Sequence, residues 1–131
     1  MIEYPLSVGD AIAEIDALPT DFTPTNDLAT AVLEAAQAWD GIGGYHGLVY
    51  LLHFERPYRH AKHYTGWTPN LERRLDAHAK GRGARLMTVI TEAGIGWTLA
   101  RIWPGTRSLE RSLKRQGGAS RRCPLCQGGT P

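Results

Sequence analysis

The sequence predicts a small α/β (α+β) fold, a three-stranded, mostly antiparallel sheet flanked by helices and preceded by a helical extension. Three short runs dense in apolar and aromatic residues carry the sheet: 48–54, 63–68 and 97–103. Around them lie segments whose apolar residues recur at helical spacing. With 131 residues, 42% of them hydrophobic, the chain suits one domain with a modest core and a short extension.

The extension comes first. Ala11, Ile12, Ile15 and Leu18 follow helical spacing, and Pro19 stops the run. Leu28, Ala31, Val32, Ala35, Ala36 and Trp39 make a second amphipathic helix, which opens on the cap-type residues Thr25-Asn26-Asp27. Gly41-Ile42-Gly43-Gly44 breaks it and serves as a linker. The first two strands flank a polar loop containing Pro57, which implies a hairpin. Pro69-Asn70 opens a helix that runs to about Lys80, and Gly81-Arg82-Gly83 ends it. Residues 84–93 form the next helix, with Leu86, Val89 and Ile90 inward. The third strand turns at Pro104-Gly105, and Thr106 caps a helix to about Arg115, with Leu109 and Leu113 inward. From Gln116 onward Gly, Arg and Pro dominate, and a loose tail is expected. The boundaries are therefore an extension at 1–44, a domain at 45–116 and a tail at 117–131.

Charge divides the same way. Residues 1–44 carry eight acidic and no basic side chains; residues 45–131 carry all 15 basic and five acidic ones, a split of −8 and +10. The basic residues cluster at 56–63, 80–85 and 111–122. A segment this basic points to a polyanionic partner such as nucleic acid. The acidic extension is then a candidate for covering the basic face or recruiting a protein partner. No run of 18 apolar residues is present, so no membrane partner is expected. The first residues lack a signal-peptide pattern, and a cytoplasmic protein is expected.

The two cysteines, Cys123 and Cys126, form a single C-x-x-C pair. One half-site leaves a metal-free tail as the expectation. The alternative is a structural Cys₂His₂ zinc site, completed by two of the hairpin histidines His53, His60 and His63 if the tail folds back.

Gly47-Leu48-Val49-Tyr50, Tyr64-Thr65-Gly66, Arg74 eight residues after the second motif, His78 one helical turn later, and Leu109-Glu110-Arg111-Ser112-Leu113-Lys114 stand in a fixed order on strand, strand, helix and helix. In this the chain resembles the GIY-YIG nuclease family over about residues 47–114, and is most similar to its small stand-alone bacterial members. The first motif has its glycine one place early, the second has Thr65 where Ile or Val is usual, and no asparagine follows the glutamate. The resemblance implies a metal-dependent endonuclease that hydrolyses phosphodiester bonds in DNA. It assigns catalysis to Tyr50, Tyr64, Arg74, His78 and Glu110, with Glu110 as the protein ligand to Mg²⁺ or Mn²⁺. A module of the same fold that binds nucleic acid without cutting it is the alternative.

These residue types suit that chemistry. Two tyrosines on adjacent strands can orient or deprotonate a water. Arg74 and His78, spaced i, i+4, share a helix face that flanks the Leu71–Leu75 stripe at the edge of a cleft. Arg74 can clamp phosphate oxygens, and i, i±2 spacing disfavours pairing with Glu72 or Asp76. His78 can relay a proton or hydrogen-bond a tyrosine. A magnesium ion takes one or two carboxylates and fills its shell with water and phosphate oxygens. Glu110 can also pair with Lys114. Lys80, Arg82, Arg85 and Lys114 are the candidate substrate contacts.

Overall fold

The computed structural model describes residues 47–127 and, before them, 24–27, 29, 30 and 33. Strands β1 (Leu48–Tyr58) and β2 (Ala61–Thr68) are followed by helices α1 (Leu71–Ala79) and α2 (Arg85–Glu92). Then come β3 (Trp97–Pro104), α3 (Arg107–Gln116) and two short helices, α4 (Ala119–Arg122) and α5 (Pro124–Gln127). The sheet is antiparallel throughout, in the order β2-β1-β3. No helix among the described residues is long and apolar enough to cross a membrane.

Strand alternation sorts the side chains onto two faces. Leu48, Tyr50, Leu52 and Phe54 of β1 point to one face, where Leu71, Leu75, Met87 and Ile90 of α1 and α2 cover them. Val49 and Leu51 point to the other, where Leu113 of α3 and Cys123 cover them beside Trp103 and Ala100. The central strand is thus apolar on both sides, as a strand buried on both faces must be.

The helix starts follow local chemistry. Asn70 accepts from the Arg73 N–H at 3.0 Å, and Thr106 accepts from the Leu109 N–H at 3.1 Å. In α1, Leu71, Leu75 and His78 form one buried stripe. In α2, Met87 and Ile90 are the buried pair, while Leu86 and Val89 are only half-buried. Met87 takes the inward place expected of those two, because the covering face of α2 is set by the sheet beneath it.

Two expectations change. The strands run past the anticipated loop: β1 continues through Pro57, with a register shift between His53 and Tyr58, and the chain reverses at Arg59-His60. Proline is accepted in a strand at such an irregularity. The tail is folded from Ala119 to Gln127. Gly117 and Gly118 take positive φ values of 73° and 83°, which turn the chain back onto the sheet. There Arg101 donates to the Arg122 carbonyl at 3.2 Å, and Arg122 donates to the Gly117 carbonyl at 2.9 Å. Most of the acidic extension, including the helix expected at Ala11–Leu18, lies outside the described residues. Of the second helix, Asp27 accepts from the Thr30 N–H at 3.0 Å, as a cap does, and Thr25 pairs with Leu99 along the outer edge of β3. Unpaired strand edges invite association, and this contact covers part of one.

Candidate active site

The cross-strand register brings Tyr50 opposite Gly66, and Tyr64 opposite Leu52 two residues along the same face. The Tyr50 ring lies across Gly66. A Cβ there would sit 2.4 Å from the ring carbon Cζ and the hydroxyl oxygen, so the position admits glycine alone. The early glycine of the first motif has a similar cause: a Cβ on Gly47 would meet the Trp67 indole at 2.4 Å.

Beneath the sheet, α1 supplies the partners of Tyr50. Its hydroxyl lies 2.7 Å from His78 Nε2 and accepts from Arg74 Nε at 3.4 Å. His78 Nδ1 lies 3.3 Å from the Arg82 carbonyl oxygen. A carbonyl can only accept, so Nδ1 carries the hydrogen and Nε2 accepts from the tyrosine. Four groups thus form one directed chain, from Arg74 through Tyr50 and His78 to the Arg82 carbonyl. Arg74 pairs with neither acidic neighbour on α1, since Asp76 bonds Lys80 at 2.9 Å.

His78 is not at a cleft edge. It is fully buried, on the Leu71–Leu75 stripe itself and not beside it. Burial lowers its pKa to about 4, and so keeps the imidazole neutral. Burial raises the Tyr50 pKa, and the neighbouring Tyr64 adds to this, against the bond from Arg74. The Tyr50 oxygen in turn favours the charged form of Arg74.

The lowered histidine pKa has a consequence for stability. Between the ordinary value of 6.5 and about 4, the unfolded chain binds a proton at His78 that the folded chain does not. Its contribution is therefore complete above 6.5 and is lost as pH falls through that window. Urea midpoints should drop from about pH 7 to about pH 4.5, and less steeply in His78→Gln. Equal slopes in the two proteins would contradict this burial of a neutral imidazole.

Tyr64 joins the two halves of the site. Its ring stands edge-on to His78 at 5.4 Å between centroids and tilted to Tyr50 at 6.0 Å. On its other side the Lys114 ammonium lies 4.8 Å from the ring centroid. Lys114 also bonds Glu110 at 2.8 Å, one turn back along α3. Glu110 is buried, with 11% of its side chain exposed, whereas Lys114 is half-exposed. The five residues singled out in the sequence are therefore linked in one unbroken series of contacts. Arg82 and Arg85 are exposed on the loop and helix start beside α1, and Lys80 is exposed in its pair with Asp76.

No protein-family model matches this chain, and searches among curated proteins and among solved structures return no match either.

A second cluster lies on the opposite face. His53 and His63 are directly paired across β1 and β2, and the folded tail brings Cys123 and Cys126 to them. One ligand atom from each of the four lies within 4.8 Å of every other. His60, at the hairpin tip, is not part of it. Burial lowers His63 to about 4 and lifts the Cys123 thiol to about 11. Sequence reading missed a further participant in the first site, the Arg82 backbone carbonyl, because no residue identity encodes a main-chain acceptor.

Proposed function

We propose that the chain is a GIY-YIG-type endonuclease that hydrolyses phosphodiester bonds in DNA with a divalent metal ion. The observation that carries this reading is the unbroken contact series from Arg74 through Tyr50, His78, Tyr64 and Lys114 to Glu110. A buried, polarised tyrosine, a guanidinium, an ammonium and a carboxylate along one line are the groups that hydrolysis of a phosphodiester needs.

The roles divide by exposure. Tyr50 is fully buried, while Tyr64 is only partly buried, so Tyr64 is the tyrosine better placed to hold the attacking water. An imidazole held near 4 is a weak base at neutral pH. His78 therefore serves to fix the Tyr50 hydroxyl and does not store a proton. Arg74 bonds Tyr50 through Nε, so its terminal nitrogens can serve phosphate oxygens. Lys114, half-exposed at the same edge, offers a second cation to the phosphate. Glu110 fits a hard cation such as Mg²⁺ or Mn²⁺ as its one protein carboxylate. Such an ion, when bound, supplies charge stabilisation for the leaving oxygen.

Purified protein with Mg²⁺ or Mn²⁺ should nick plasmid or branched DNA. Salt-sensitive binding with no cleavage of duplex, flap, junction or single-stranded substrates would favour the non-cutting module instead. The binding surface has its own test. Replacing both Arg82 and Arg85 with alanine should reduce the slope of log K against log salt by about 0.9 for each phosphate no longer neutralised. An unchanged slope would remove these residues from the interface.

A further inference from the structure

We propose that His53, His63, Cys123 and Cys126 bind one structural Zn²⁺ that clamps the C-terminal tail to the β1–β2 hairpin. The site goes beyond the nuclease reading and does not depend on it. It sits on the other face of the sheet from Tyr50 and Tyr64, because 53 and 63 alternate with 50, 52 and 64 along their strands.

The distances fit a tetrahedral ion. With Zn–N near 2.0–2.1 Å and Zn–S near 2.3 Å, tetrahedral angles put two nitrogens about 3.3 Å apart and a nitrogen and a sulfur about 3.5 Å apart. His53 Nδ1 and His63 Nε2 are 3.3 Å apart. The nitrogen–sulfur separations are 3.4 Å for His53–Cys123, 3.7 Å for His53–Cys126 and 3.4 Å for His63–Cys126.

Hydrogen bonding does not account for this arrangement. His53 Nδ1 alone approaches three N or S atoms. A ring nitrogen has one in-plane hydrogen or one in-plane lone pair, so it can direct itself at one partner. Four donor atoms gathered within 4.8 Å of one another are accounted for by one ion between them. Two thiolates balance its charge, leaving the half-buried site neutral, and two thiol protons are released on binding.

The donor set selects the metal and the role. Two imidazoles and two thiolates suit zinc, and four protein ligands leave no open position for catalysis. What the ion holds is the tail. Cys123 is fully buried against Val49, Leu51, Trp103 and Leu113, and its neighbours in α4 and α5 lie on β2 and β3.

The test is metal content of the full chain purified without chelator, by elemental mass spectrometry. One zinc per chain is expected, and the stripped protein should take up Co²⁺ with the visible bands of a tetrahedral thiolate site. Cys126 is exposed, so Cys126→Ser should keep the fold, by far-ultraviolet circular dichroism, and lose stoichiometric zinc. Chelation of the wild type should expose the tail to trypsin at Arg121. Metal-free wild type whose stripped form gives no cobalt spectrum would overturn the proposal. So would an intact mass showing a Cys123–Cys126 disulfide with no metal, or full zinc retained in both Cys126→Ser and His63→Asn.

Discussion

Glu110→Gln should lower DNA cleavage by about 10²–10⁴-fold, the effect of removing several kcal/mol of metal-borne charge stabilisation. The substitution keeps the shape of the side chain and removes its charge. It forfeits the charge of an i, i+4 pair with the half-exposed Lys114, so unfolding should change far less than cleavage does. Binding should separate from turnover. Lys114 loses its carboxylate at 2.8 Å and becomes a freer cation, so DNA affinity measured without cleavage should hold or tighten while the rate collapses. Added Mn²⁺ should not restore the rate. Cleavage at the wild-type rate in this variant would refute the metal assignment for Glu110.

Gly66→Ala should be strongly damaging to both stability and activity. The new Cβ would lie 2.4 Å from the Tyr50 ring, which packs in the core with Leu71 and Leu75 of α1. Overpacking of this kind costs about 1–3 kcal/mol. If the ring swings away, His78 Nε2 loses its 2.7 Å partner inside the core, and an unpaired buried acceptor costs about 1–3 kcal/mol more. Both stability, read from urea midpoints, and cleavage should fall. Tyr50→Phe separates the two causes, since it keeps the ring on Gly66 and removes only the hydroxyl. It should share the second cost and escape the first. A Gly66→Ala protein as stable as the wild type would mean that the ring does not rest on this strand as described.

The two substitutions probe different depths of what the sequence discloses. Glu110 is legible as a residue: it follows a capping threonine by four places, and its partner Lys114 follows by four more. Gly66 is legible as part of a motif, but its reason is visible only across the sheet, where Tyr50 covers it. His78 shows the limit more sharply. Its spacing to Arg74 is plain, yet the same wheel that joins them puts His78 in line with Leu71 and Leu75, where the core encloses it. The tail is the largest departure. Its composition suggests looseness, but Gly117 and Gly118 supply the left-handed turns that fold it back. Arg101, 21 positions earlier on β3, then holds it through the Arg122 carbonyl.

By itself the sequence determined the order of elements from β1 to α3, the caps at Asn70 and Thr106, the hairpin, and the placement of Tyr50, Tyr64, Arg74 and Glu110 on successive elements. These depend on neighbours within about one helical turn or one strand alternation, and such neighbours are written next to each other in the chain. Only the tertiary structure decided that Tyr50 bonds His78, that Tyr64 bridges to Lys114, and that two hairpin histidines meet two tail cysteines. Those contacts join residues up to 73 positions apart. They are set by strand register, by the irregularity after His53 and by the packing of α3 and the tail on the sheet, none of which a local pattern of residues specifies.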